Sequence, residues 1–320
     1  MNSKALLFLT IIFLSFPYKS NAIRIMQMLD VKRILIPTDF SDTANLALKH
    51  AVQMARLTDA EIVLLHVVST FAFRVNLPEA EEDEAQSNRL NSAVNRRLQE
   101  MAAEITRESG VKVSVEMAYG RIREEVVKLA EERDADMIVL GTHGVSGLKE
   151  FFMGSNAFRI VSDAGCPVLS IQESAKEVGF RKIAVPIDNS FHSREKLGIA
   201  VRIAHTYGAK LLICGLRSHD HDDETLNAKF RVKMKQVEDF LEERQVDFES
   251  TTLFCSNIAK ATMDFSENQG ADLIIIMNEQ EINSTGFFLG PYAQQVVNHS
   301  KIPVMSIRPT TGHINSVTPY

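Results

Sequence analysis

The sequence predicts an α/β protein made of two tandem doubly wound, Rossmann-like units, each a five-stranded parallel sheet with helices on both faces, packed together as a pseudo-dimer. Three observations predict it: chain length, an internal repeat, and the alternation of short apolar runs with helical patterns. At 320 residues the chain is roughly twice a typical domain of about 150. The repeat is visible by direct alignment, since Lys32-Arg33-Ile34-Leu35-Ile36-Pro37-Thr38-Asp39-Phe40-Ser41 matches Arg181-Lys182-Ile183-Ala184-Val185-Pro186-Ile187-Asp188-Asn189-Ser190. Asp136-Met137-Ile138-Val139-Leu140 matches Asp272-Leu273-Ile274-Ile275-Ile276, and Cys166-Pro167-Val168-Leu169-Ser170-Ile171 matches Ile302-Pro303-Val304-Met305-Ser306-Ile307. The offset is 149 residues at the first match and 136 at the other two, so the second copy is 13 residues shorter in its middle.

Each element arises from local pattern. In copy one, apolar runs at 33–38, 61–67, 112–118, 136–141 and 167–171 read as strands separated by helical crossovers, the signature of βαβ units. Ser41 or Asp42 caps a helix through about Thr58, because a small oxygen side chain accepts orphan amide hydrogens. Glu79 to Glu108 reads as a long surface helix whose acidic start suits the helix dipole, and Gly110 ends it. Arg121 to Arg133 forms a third helix, and Ser155 to Ser162 opens a fourth. Copy two repeats the strands near 182–187, 210–216, 247–254, 272–277 and 303–307. Residues 172–180 form a tether without a Pro- or Gly-rich stretch, and so short a link favours packing of the halves through their apolar last strands.

These readings divide the chain into a leader (1–28), a first domain (29–174), a second domain (175–310) and a tail (311–320). In the leader, Lys4 precedes an apolar run from Ala5 to Phe16 and then Ser20-Asn21-Ala22, the pattern of a secretory signal peptide and too short to span a bilayer comfortably. A natural start at Met26 or Met28 explains the same residues without export. Both readings exclude the leader from the fold.

Hydrophobic residues at 45% and charged residues at 24% are the proportions of a globular chain. A net charge of −6 leaves no basic stripe to neutralise a nucleic-acid backbone, and no membrane association is expected. Cys166, Cys214 and Cys255 are far apart and lack ligand-like spacing, so they read as reduced core thiols.

One constellation carries chemistry. Gly141-Thr142-His143-Gly144, nine further residues and then Gly154-Ser155-Asn156 form G-x2-G-x9-G-S, with the first glycine ending a predicted strand and Ser155 opening a helix. Backbone amides and the helix dipole there converge on one spot suited to an anion, and glycines let the main chain approach phosphate oxygens. Asp39 ends the first strand, at the carboxyl edge where doubly wound sheets bind ligands. A carboxylate repels phosphate, so Asp39 belongs on the nucleoside or metal side. The spacing is neither a P-loop nor GxGxxG.

With these residues in view, the chain resembles the universal stress proteins in their tandem two-domain form, over about residues 29–310. The marks are Pro37-Thr38-Asp39-Phe40-Ser41, Leu64-Leu65-His66-Val67, and the G-x2-G-x9-G-S loop of the ATP-binding subgroup. The resemblance implies an adenine nucleotide alpha hydrolase-like fold and ATP binding in domain 1, within a stress-response regulatory protein. It implies that Asp39 and the Val67 main chain hold the adenosine, that Gly141 lines the ribose, and that Gly144, Gly154, Ser155 and Asn156 hold the phosphates. Pro37, Thr38, Leu140 and His143 complete the expected nucleotide-binding set. A magnesium or manganese ion bound with the nucleotide is implied too, as is association through the last strand, which allows a homodimer besides the intrachain pseudo-dimer.

Copy two departs from this pattern. Gly141 becomes Met277, Gly144 becomes Gln280 and Ser155 becomes Pro291, so side chains stand where phosphate needs bare backbone and one amide donor is lost. Gly290 survives, and Phe287-Phe288-Leu289 repeats the apolar Phe151-Phe152-Met153. A structural role is therefore expected for Asp188. The run from His219 to Glu224 reads as an acidic loop opening a helix rather than a metal site, and His66 as a satisfied rim histidine. Catalysis is not demanded: only Lys149 and Arg159 lie near the phosphates in sequence, neither in a catalytic motif. A slow ATPase or phosphotransferase using His143 as acceptor, and a scaffold that binds no nucleotide, stand as alternatives. Free thiols and a nucleotide site favour the cytoplasm, with export the alternative if residues 1–22 act as a signal peptide.

Overall fold

The computed structural model describes residues 30–69, 81–142, 155–175, 177–218, 224–278, 280–283 and 286–309. The leader, the tail, residues 219–223 and the predicted anion-loop residues 143–154 lie outside them. Copy one runs β1 (Arg33–Pro37), α1 (Asp42–Thr58), β2 (Glu61–Ser69), α2 (Glu81–Ser109), β3 (Val113–Gly120), α3 (Ile122–Glu132), β4 (Met137–Gly141), α4 (Ser155–Asp163) and β5 (Val168–Ile171). Copy two runs β6 (Lys182–Ile187), a 3-10 turn (His192–Arg194), α5 (Leu197–Tyr207), β7 (Lys210–Ser218), α6 (Glu224–Glu243), β8 (Phe248–Cys255), α7 (Ile258–Gln269), β9 (Leu273–Met277), β10 (Gln280–Asn283), β11 (Gly286–Leu289), α8 (Pro291–His299) and β12 (Val304–Ile307).

Local chemistry sets the boundaries. Ser41 caps α1, its hydroxyl oxygen accepting from the Ala44 amide at 3.2 Å, and Asp42 adds a negative charge to the first turn. Gly110 stops α2 in the left-handed region at φ 75°, where a Cβ would be strained. The matched aspartates of the repeat act as staples. Asp136 Oδ2 accepts from the Lys32 and Arg33 amides at 2.8 and 2.9 Å, and Asp272 accepts from the Arg181 and Lys182 amides at 2.8 to 3.0 Å. Each ties the start of its copy's fourth strand to the start of its first.

Ten of the described strands form one sheet in the order β3-β2-β1-β4-β5-β12-β9-β6-β7-β8, and β10 and β11 form a separate two-stranded sheet. Within the ten-stranded sheet every pairing inside a copy is parallel; the copies meet through β5 and β12, antiparallel, with Val304 opposite Ser170, Met305 opposite Leu169 and Ser306 opposite Val168. The Ser170 hydroxyl adds a 3.0 Å bond to the Val304 carbonyl across this seam. The expected pairing of two five-stranded parallel sheets is thus realised as one continuous sheet.

Strand alternation sends side chains to two helical layers, each unbroken across the seam. Ile34, Ile36, Ile183 and Val185 face one core cluster with α1, α2, α5 and α6, while Leu35, Ile138, Ala184 and Ile274 face the other with α3, α4, α7 and α8. The first layer joins the copies through His50 of α1, which stacks on Phe180 of the tether at 5.6 Å; Phe180 in turn meets Tyr207 of α5 at 5.0 Å.

His50 is 1% exposed, and neither ring nitrogen has a hydrogen-bond partner among the described residues. Burial lowers its pKa from 6.5 to about 4, so folding favours the neutral ring. Because the folded value lies below the unfolded one for a base, this contribution is complete above pH 6.5 and is lost as pH falls toward about 4. The loss amounts to roughly 3 kcal/mol. Urea unfolding of wild type and His50→Leu at pH 7, 6, 5 and 4 should show the wild type losing about that much more stability than the variant; parallel curves would disprove a neutral buried ring.

Candidate functional site

In copy one, β1 sends its crossover to β2 on one side while β4 lies on the other, so the strand order reverses between β1 and β4. Asp39, Val67 and Gly141 meet the solvent at the carboxyl ends of these three strands. The β1–β2 ladder stops where Pro37 faces Leu65, after which the Thr38 amide still reaches the Leu65 carbonyl at 2.8 Å. Beyond that point β2 runs on to Ser69 paired with β3, Val67 opposite Ala118. The β1-facing edge of the Val67 main chain therefore lies past the end of the ladder, beside Asp39.

Asp39 is exposed, and Oδ1 accepts from the Ser41 amide at 3.0 Å, which shapes the turn leading into α1. Phe40 takes a left-handed φ of 66° and stacks on His66 at 5.0 Å. Thr38 is buried: its hydroxyl oxygen accepts from the Phe40 amide at 3.1 Å, and its carbonyl accepts from His66 Nδ1 at 2.8 Å. A carbonyl can only accept, so Nδ1 carries the proton and His66 is a satisfied rim residue that braces the loop. Leu140 is buried beneath the site. Ser155 and Asn156 are exposed at the start of α4, with Ala157 turned inward and Arg159 exposed one turn further on. Of the remaining predicted site residues, His143, Gly144 and Gly154 lie outside the described residues, as does Lys149.

Gly141 has a second reason to be glycine. A Cβ there would sit 2.9 Å from the carbonyl carbon, the carbonyl oxygen and Cγ2 of Thr43, so β4 abuts the first turn of α1 main chain to main chain. In copy two Met277 stands at the equivalent position and is buried. The counterpart of Asp42 is Phe191, yet α5 does not begin until Leu197; the intervening 3-10 turn packs against β9 instead.

Asp188, the counterpart of Asp39, is absorbed into structure as expected. Its Oδ1 accepts from the Ser190 amide and hydroxyl at 2.9 and 2.7 Å, and its own amide donates to Ser193 Oγ at 2.9 Å. Lys233 from α6 donates to the Asp188 and Ser190 carbonyls at 3.0 and 3.1 Å, and the buried Lys196 donates to the Ser193 carbonyl at 2.6 Å. Burial alone would raise the Asp188 pKa, but the Ser190 bonds and the Lys196 charge outweigh it and hold the carboxyl below its usual range.

Gln280, at the position of Gly144, lies in an antiparallel hairpin that pairs Gln280 with Leu289 and Asn283 with Gly286. Sequence reading missed this hairpin. Its signal is the run Asn283-Ser284-Thr285-Gly286, turn-forming residues between Ile282 and Phe287. Among the described residues no group of three His, Cys, Asp or Glu is placed to hold a metal ion.

The sequence profile of the universal stress protein family matches residues 30–172 and again 179–308. A universal stress protein of Methanocaldococcus jannaschii is 39% identical over 146 residues, covering 46% of this chain and 85% of the relative. A second from the same organism is 31% identical over 154 residues, covering 44% of this chain and 94% of the relative. The crystal structure of a universal stress protein from Archaeoglobus fulgidus superposes with a TM-score of 0.68 at 20% identity, covering 88% of this chain and all of that one, and so shares its fold.

The contact at Gly141 is testable apart from any ligand. Gly141→Ala should cost about 1–3 kcal/mol in urea unfolding, because the added methyl meets backbone that cannot yield. Gly165→Ala, where a Cβ meets nothing within 4 Å, is the control expected to change little.

Proposed function

The chain belongs to the universal stress protein family, and on that premise we propose that its first copy binds ATP and that the protein acts as a cytoplasmic stress-response regulator. What supports this reading is an exposed carboxylate, Asp39, directly after β1 at the point where strand order reverses, together with the exposed residues Ser155 and Asn156 that open α4. Asp39 accepts from the nucleoside hydroxyls, and the Val67 main chain meets the base. Pro37, Thr38 and Leu140 form the wall beneath, and Gly141 lines the ribose. His143, Gly144, Gly154, Ser155 and Asn156 surround the phosphates, with the helix dipole of α4 favouring their charge.

A magnesium or manganese ion fits as a partner of the phosphates, since the exposed Ser155 and Asn156 that open α4 offer oxygen donors of the kind such hard cations prefer. When bound it would neutralise phosphate charge. Copy two takes no nucleotide in this reading: Met277 and the hairpin fill its anion site, and Asp188 is committed to Ser190. The domains run over 29–174 and 175–310. The three free thiols support a reducing compartment; burial pushes Cys166 up to about 11 and Cys214 up to about 12, keeping both protonated and inert at neutral pH. No helix among the described residues is long and apolar enough to cross a membrane.

Calorimetric titration of the full chain with ATP and magnesium should give one ATP per chain. Asp39→Ala should weaken binding by roughly 10–100-fold, the worth of a hydrogen bond to a charged acceptor, and Gly154→Val should abolish it. Two ATP per chain would overturn the assignment of copy two as degenerate, and absence of binding would overturn the site itself.

A further inference from the structure

The antiparallel seam turns the copies upside down relative to one another, so their strand carboxyl ends open at opposite edges of the shared sheet. The helix α4 spans that distance. At nine residues it is about 13 Å long. Its first turn stands at the candidate site of copy one, and its last turn reaches the equivalent, degenerate end of copy two.

Two contacts join α4 to copy two. Asn278, directly after β9, is 2% exposed and donates from Nδ2 to the Val161 carbonyl at 2.7 Å. Val161 lies in the last turn of α4, whose carbonyls have no partner within the helix, and no basic residue occupies that turn. The Ala164 amide reaches the Ile160 carbonyl of the same turn at 2.9 Å, and the donor to the Val161 carbonyl comes from the other copy. Asn278 is itself fixed, its amide donating to the Ile307 carbonyl at the end of β12 at 2.7 Å. The second contact is β11, which packs against α4. It belongs to the hairpin that replaces the anion loop in copy two. The counterpart of Asn278 in copy one is Thr142, a hydroxyl and a methyl in place of a carboxamide.

We propose that the degenerate end of copy two is the sensor for the nucleotide site of copy one: Asn278 and the β10–β11 hairpin hold the carboxyl end of α4, so that an anion bound at its amino end is registered in copy two. This rests on the nucleotide site proposed above. An anion at the N-terminus and an amide donor at the C-terminus both stabilise the same aligned dipoles. Linkage makes the effect reciprocal: whatever tightening ATP imposes on the cap, loss of the cap removes from ATP affinity. Asn278 is thus a positioning residue that touches no nucleotide.

Hydrogen exchange read by mass spectrometry on the full chain, with and without ATP and magnesium, tests this. In the wild type, ATP should slow exchange in residues 155–163 and also in the hairpin, residues 280–289 of the other copy. Asn278→Thr, which installs the residue copy one already carries, should speed exchange in 155–163 without nucleotide, weaken ATP binding about 5-fold or more and abolish the ATP-dependent protection of 280–289. Asn278→Asp, which keeps the shape and removes the donor, should act the same way. ATP binding with protection confined to copy one, or an Asn278→Thr protein with unchanged affinity and exchange, overturns the coupling while leaving the site intact. A wild type that binds no ATP overturns the site, and the coupling with it.

Discussion

The pairing of β5 with β12 is the constraint on which the rest of the structure depends. All four residues of β5 are buried, and β12 is buried through Ser306. A strand closed in on both faces must also find partners for its backbone along both edges. Neither copy can supply the second edge from its own chain, because its other strands stack outward in the opposite direction. Each last strand completes the other, and the hydrophobic layers then merge across the junction. The last-strand association implied by the family resemblance is thereby satisfied inside one chain, and any further self-association would have to use a different surface.

Most of the fold was legible because strand and helix periodicities are local. The prediction for β6, 182–187, coincides with the strand observed, and the other sheet strands fall within two residues of expectation at either end. What could not be read was set by contacts between distant residues. The late start of α5 goes with a 3-10 turn that packs against β9, about eighty residues downstream in sequence and adjacent only in the fold. The hairpin at 280–289 falls where the alignment of the copies predicts a binding loop, so the alignment gave no hint of it. The matched Asp136 and Asp272 were visible as a repeat, but their role as staples required the strand order.

The candidate site divides the same way. Asp39 was placed by the rule that ligands gather at carboxyl ends of parallel strands, and Asp39 and Val67 each lie two residues past the last β1–β2 pair, Pro37 with Leu65. Gly141 was singled out for its closeness to phosphate, and its contact with Thr43 adds a packing demand that any sequence with this strand–helix approach would share. A glycine in such a motif thus carries two constraints at once, and copy two, with Met277 at the equivalent position, meets neither of them with a glycine.

The two first-strand aspartates sharpen the contrast between the copies. Asp188 has its Oδ1 bonded twice by Ser190 and lies near the buried Lys196, while Lys233 occupies the adjacent carbonyls. Burial lowers the Lys233 pKa even as the Asp188 charge opposes that shift, so the ammonium is held by its neighbours against desolvation. A carboxylate so surrounded has its negative charge already compensated and gains little from a hydroxyl offered by a ligand. Asp39 is exposed at the mouth of its strand end. Both copies keep the same aspartate, half-buried among its partners in copy two and exposed in copy one. The two copies share one frame, but in copy two Met277 and Lys196 are buried at that end, and Asn278 holds the last turn of α4 from the other copy.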